Sequence, residues 1–191
     1  MKMFYIPDGH RRYADQTGCS LAESYRIGYR VLVEELIQPA FADGVERLDV
    51  FLLSNLNLQR RDREELELLL RVGEPMLWEL VEHCRKLASI RTLGSYLKRN
   101  IDVVTVPERQ LNLVLGCTTA DDIGLSEVDV FLRTGGEIRL SGAPRTVIGD
   151  YTQFYGIPAL HPELRYSDIA KCLQHYRTRY MREAEPVSRH G

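Results

Sequence analysis

Two arginines, two glycines and a hydroxyl fall within the nine residues Arg133-Thr-Gly-Gly-Glu-Ile-Arg139-Leu-Ser141. A diphosphate offers many acceptor oxygens and several negative charges. Guanidinium groups match such oxygens in pairs, and Gly135 and Gly136 permit close approach of backbone N–H groups to an anion. A charge-assisted hydrogen bond is worth about 1.5–3 kcal/mol, so losing one from a transition state slows turnover roughly tenfold to a hundredfold. The same run also reads as a surface turn with solvated arginines. A second polar segment is Pro7-Asp-Gly-His-Arg-Arg-Tyr13. Asp8 suits Mg²⁺, which takes one or two carboxylates together with substrate phosphate oxygens. Gly9, His10, Arg11 and Arg12 are candidates to grip those phosphates; the alternative is an Asp-Gly turn with a structural ion pair. In the third segment, Ser54-Asn-Leu-Asn-Leu-Gln-Arg-Arg61, Asn57 and Arg60 supply donors and Ser54 a hydroxyl, or the segment simply caps the next helix. Neither a Walker pattern nor GxGxxG occurs, which speaks against a nucleotide site.

Positioning these segments requires strand ends. Met3–Ile6, Leu48–Leu53, Ile90–Leu93, Val103–Val106, Leu111–Leu115 and Val128–Leu132 read as short, mostly continuous apolar strands, as expected when both faces are covered. Ser20 and Glu23 form a capping box for a helix ending near Gly44, with Pro39 disturbing its last turns. Further helices are expected at Asp62–Arg71, Glu74–Lys86, where Pro75 suits a helix start, and Ser167–Arg182. Residues 8–18 and 54–61 read as loops. Alternation of strand and helix implies an α/β fold with a mostly parallel central sheet flanked by helices. Ligands then bind beyond the carboxyl ends of the strands, so the three polar segments should share one rim. Residues 1–182 read as a single domain and 183–191 as a disordered tail.

Composition narrows the classes. Across 191 residues the formal net charge is -2, so phosphate recognition must come from local arginine clusters and general nucleic-acid binding is disfavoured. Cys19, Cys84, Cys117 and Cys172 form no CxxC pair, which argues against zinc. With no long apolar run, neither a signal peptide nor an integral membrane segment is expected, and a cytoplasmic location is the expectation.

Taken in order, the segments resemble the cis-prenyltransferases, the undecaprenyl diphosphate synthase family. Phe4–Ala14 resembles its first motif, Leu53–Arg60 its Ser-rich motif, Phe131–Ser141 its Arg-Thr-Ser/Gly-Gly-Glu-x-Arg-x-Ser signature, and Leu160-His-Pro-Glu-Leu164 the Leu-Trp-Pro-Asp-Phe that follows. The resemblance implies Asp8 as the metal and diphosphate aspartate and Arg12 on an allylic diphosphate. It implies Arg133, Arg139 and Ser141 on isopentenyl diphosphate, and Asn57 in proton removal or diphosphate contact. Mg²⁺ is the implied cofactor, and a homodimer or a hetero-partner the implied assembly. The chain also departs from the pattern. Arg11 stands where the family has Gly, His10 where it has Asn, Leu21 and Tyr25 where it has Arg and His, and Leu56 where it has Glu. Gln153 aligns with the second metal glutamate, and the segment between Leu115 and Val128 is short. Leu21, Tyr25 and Arg11-Arg12 resemble the lavandulyl-type branch, which joins C5 units head to middle.

The implied activity is condensation of short isoprenoid diphosphates of the dimethylallyl and isopentenyl type. A terpene synthase using one prenyl diphosphate and a non-catalytic subunit are the rivals. An allylic cation must be kept from water; Leu77, Leu80, Val81, Leu113 and Leu115 are candidate walls. His83, His161 and His175 read as surface or structural, and Trp78 as core. Tyr166, Tyr176, Arg177, Arg179 and Tyr180 read as a solvated amphipathic helix.

Overall fold

A computed structural model describes residues 1–179. Seven strands build one sheet: β1 (Lys2–Ile6), β2 (Arg47–Ser54), β3 (Ser89–Leu93), β4 (Asp102–Val103), β5 (Gln110–Cys117), β6 (Val130–Thr134) and β7 (Gln153–Ile157). Their order is β4-β3-β5-β2-β1-β6-β7. All pairs are parallel except β3 with β4. The sheet is thus the expected mostly parallel one, and the central strands are buried on both faces.

The helices are α1 (His10–Thr17), α2 (Leu21–Val31), α3 (Gln38–Ala42), α4 (Asn55–Arg60), α5 (Arg63–Cys84) and α6 (Tyr166–Arg179). Ser20 caps α2 as expected, its Oγ accepting from the Glu23 N–H at 3.2 Å. Between α2 and α3 the chain runs as a π-helix, Leu32–Ile37, just ahead of Pro39, whose ring lacks a donor for the regular ladder. Segments 8–18 and 54–61, expected as loops, instead contain α1 and α4. Nor does α5 break at Pro75. One missing hydrogen bond is outweighed there by burial of Val72, Leu77, Leu80 and Val81 along a single helix. β7 was not expected from its sequence. The expected end of α6 at Arg182, Tyr180, and the tail 183–191 lie outside the described residues.

Side chains alternate across the sheet. Met3 and Tyr5 join the larger core with Val33, Leu36, Leu77, Leu80 and Leu173 of the helical segments. Phe4 and Ile6 face the other way, where Phe51, Phe131, Leu125, Val128, Ala143 and Val147 form a smaller core. α-Helices therefore cover one face, while chain without α-helix, 118–129 and 140–148 with one 3₁₀ turn at Arg145–Val147, covers much of the other. Phe4 and Phe131 stack there with centroids 5.2 Å apart.

Candidate active site

Parallel pairing of β1 with β2 and β6 places the ends of three strands on one rim. Asp8 follows β1, Asn55 and Asn57 follow β2, and Arg133 and Thr134 close β6. Between β1 and α1, Gly9 adopts φ +113°, and a Cβ there would strike Leu160. The Asp8 backbone is pinned: its N–H donates to Thr134 Oγ1 at 2.7 Å, and its carbonyl accepts from the Thr134 hydroxyl at 2.9 Å and the His161 N–H at 2.9 Å. Thr134, a residue the sequence reading passed over, is therefore what locks β1's exit to β6.

Arg133 ties the rim together. Its side chain is only 3% exposed. Nη2 donates to Asp8 Oδ2 at 2.5 Å, while Nη1 donates to the Arg139 carbonyl at 2.8 Å and to the Ser141 hydroxyl. Ser141 sits at φ +50°. The Glu137 carboxylate lies 2.6 Å from Arg139 Nε and 3.6 Å from Arg133 Nη2. From the opposite side, Arg12 donates through Nη1 to the Gly135 carbonyl at 2.9 Å and lies 3.7 Å from Asp8. Gly135, at φ +84°, leaves space for that guanidinium, which a Cβ would strike.

These groups open into one cleft of about 1660 Å³. Asp8, Gly9, His10, Arg11, Arg12, Asn57, Arg60, Arg133, Arg139 and Ser141 line its polar end. Its apolar part is lined by Leu69, Met76, Leu77, Leu80, Leu97 and Leu115. Of the five walls expected, Leu77, Leu80 and Leu115 take that position. Val81 and Leu113 are core residues away from the cleft. Trp78 is 52% exposed at the cleft and is not core.

Four expectations need correction. Ser54 is buried and does not line the cleft; its hydroxyl accepts from the Asn57 N–H at 3.0 Å and caps α4. The Gly135 and Gly136 N–H groups are already spent on the Ala159 and Ile157 carbonyls, at 2.8 and 2.9 Å, and are not donors for an anion. His10 packs its ring against Tyr25 and His161. Burial, with a smaller contribution from the Arg61 charge, pushes its pKa down to about 4, so it meets a ligand as a neutral ring. Gln153 pairs with Val130 at the start of β7, whereas Thr134 pairs with Ile157. At about 3.3 Å per residue, Gln153 is a strand length from Asp8 within the chain and cannot share its metal there. His161 is buried and structural, bridging Tyr5 at 2.7 Å and the Gly28 carbonyl at 2.9 Å, with its pKa lowered by burial.

Residues 6–113 match the family model of the undecaprenyl diphosphate synthases. The chain belongs to that family. A tritrans,polycis-undecaprenyl-diphosphate synthase (geranylgeranyl-diphosphate specific) of Aeropyrum pernix is 26% identical, over 91% of this chain and 93% of its own. A (2Z,6E)-farnesyl diphosphate synthase of Mycolicibacterium smegmatis is 29% identical over 74% of this chain and 51% of its own. The fold matches lavandulyl diphosphate synthase from Lavandula x intermedia with a TM-score of 0.77 at 20% identity, over 94% and 95% of the two chains. This is the cis-prenyltransferase fold in a divergent member, and the enzyme class is prenyltransferase.

Mg²⁺ fits the donor set. Asp8 is 31% exposed and spends Oδ2 on Arg133, while Oδ1 accepts no hydrogen bond among the described residues. No group of three or more His, Cys, Asp or Glu side chains suited to a metal occurs among them. A single carboxylate with substrate phosphate oxygens matches how Mg²⁺ is held at phosphate sites. No described helix is long and apolar enough to cross a membrane.

Proposed function

We propose that this chain condenses two short isoprenoid diphosphates of the dimethylallyl and isopentenyl type and releases inorganic diphosphate, with irregular head-to-middle coupling where both are dimethylallyl diphosphate. One observation carries the reading: Asp8, Arg12, Arg133 and Arg139 open into a single cleft that continues into an apolar gallery. The resemblance of Leu21, Tyr25 and Arg11-Arg12 to the lavandulyl-type branch supports the short substrates and the coupling mode.

The first-turn amides of α1 belong to His10, Arg11 and Arg12, because the first helical bond runs from the Tyr13 N–H to the Gly9 carbonyl at 2.8 Å. These unspent donors and the Arg12 guanidinium face the allylic diphosphate. Arg133, Arg139 and Ser141 hold the second one. The C1–O bond of the allylic substrate breaks and its electron pair leaves on diphosphate, stabilised by the guanidiniums. Mg²⁺ held by Asp8 would supply further charge neutralisation of the leaving group. The double bond of the second substrate attacks C1, forming the new C–C bond. The resulting cation loses a proton to the released diphosphate, with Asn57 holding that anion. Leu77, Leu80 and Leu115 exclude water meanwhile. The exposed Tyr151 and Phe154 at edge strand β7 support the expected homodimer.

Incubation with dimethylallyl diphosphate, alone and with isopentenyl diphosphate, plus Mg²⁺ should yield a C10 diphosphate and inorganic diphosphate by mass spectrometry. Failure of C5, C10 and C15 diphosphates alike to release diphosphate rejects the reading.

A further inference from the structure

Among the described residues, Arg61 is the one cleft-lining guanidinium that donates to a tyrosine hydroxyl. Arg61 stands at the end of α4, one residue beyond the Arg60 selected from sequence, and lines the same cleft. Its side chain is 16% exposed and is held at two corners. Nη1 donates to the Tyr25 hydroxyl at 2.9 Å. Nε lies 3.5 Å from Glu65 Oε1, close enough for charge attraction but without a hydrogen bond. That carboxylate oxygen is buried and has no hydrogen-bond partner. Arg61 Nη2 makes no hydrogen bond among the described residues.

The surroundings point at α1. Arg11 lies 3.8 Å from the other Glu65 oxygen, and the Tyr25 ring packs on His10 with centroids 4.9 Å apart. Burial raises the Tyr25 pKa, so the phenol stays a neutral hydroxyl. A neutral acceptor fixes the guanidinium's plane without cancelling its charge. Glu65 is shared between two arginines and bonds Arg61 poorly, so an anion in the cleft offers Arg61 a better partner than the one it has.

We propose that Arg61 is a diphosphate-binding residue, oriented by Tyr25 and balanced by Glu65, that serves the substrate seated at the α1 amino terminus. This rests on the diphosphate reading above. When the ligand enters, Nη2 and Nε turn to its oxygens while the Tyr25 bond persists as the pivot. Tyr25 is thus a positioning residue, acting through Arg61.

Isothermal titration of the purified protein with inorganic pyrophosphate and Mg²⁺ tests this, with melting curves recorded alongside. Arg61→Gln should weaken pyrophosphate binding about tenfold, the size of one lost charge-assisted bond, and Arg61→Lys should recover part of it. Tyr25→Phe should weaken it by a smaller factor, about threefold. The double variant should be no weaker than Arg61→Gln alone, because both remove one contact. If Arg61→Gln lowers the melting temperature but binds pyrophosphate like the parent, while Arg12→Gln, at the same α1 end of the cleft, binds it poorly, Arg61 is merely structural and the proposal falls. If Arg12→Gln also binds like the parent, the diphosphate reading itself falls with it.

Discussion

Each end of the sheet carries an aspartate and an arginine in contact. At the carboxyl ends of the strands Asp8 meets Arg133 at 2.5 Å. Towards the amino ends, Asp49 lies 3.2 Å from Arg47 within β2 and accepts from Asn112 Nδ2 at 2.6 Å. Arg47 then reaches across to the Ser126 hydroxyl and carbonyl, both at 2.6 Å, tying irregular chain to the sheet. Asp49 is fully buried, and burial pushes its pKa up to about 6 despite the arginine. Asp8 keeps an oxygen and part of its surface open to the cleft. The same residue pair is a site where a ligand can reach it and a strut where nothing can.

Substitution at the open end should cost turnover and at the closed end stability. The largest effect is expected for Asp8→Asn, which should lower kcat by about a thousandfold, some 4 kcal/mol of barrier, with a nearly unchanged melting temperature; a melting shift comparable to that of an Asp49 variant would erase the distinction. Asp49→Ala leaves Arg47 without its buried counter-charge and should destabilise by about 3 kcal/mol, read by urea denaturation, with kcat per folded molecule retained. Arg139→Gln removes a more exposed guanidinium and should raise KM for one substrate about tenfold, a difference steady-state kinetics will resolve. The smallest effect is in pH. Asp49 binds its proton more tightly folded than unfolded, so its contribution to stability is greatest below 3.8, falls as pH rises towards about 6, and is level above. Asp49→Asn should abolish that component of the stability profile, whereas Asp8→Asn should leave it in place.

The run Val103–Val106 misled: β4 is only Asp102–Val103, and Val104 is 74% exposed. β1, β2, β3, β5 and β6 could be read from sequence because burial leaves a mostly continuous apolar composition. β7 could not: Gln153-Phe-Tyr-Gly-Ile157 is an edge strand with a glycine inside and half-exposed aromatics. α1 was hidden because only Ala14 of its residues is buried, so it shows no apolar periodicity. That Asp8 and Arg133 share a rim was legible because each stands at the end of a short apolar run, and parallel strands end on one side of the sheet. The tasks of Ser54, Gly135 and Gly136 were not, since whether a donor or acceptor is spent depends on partners distant in sequence. Arg61 lies within segment 54–61, yet only the fold brings Tyr25 and Glu65 to it and distinguishes it from the more exposed Arg60.

The uneven covering of the sheet has a dynamic consequence. Segments with at most one short 3₁₀ turn open at lower free energy than packed α-helices. Solvent should therefore reach the paired phenylalanine rings by local breathing of the 118–129 and 140–148 segments long before the helical side yields. In amide hydrogen exchange these segments would label early while β1, β2 and α5 stay protected, and the Arg47 tether to Ser126 would set how early.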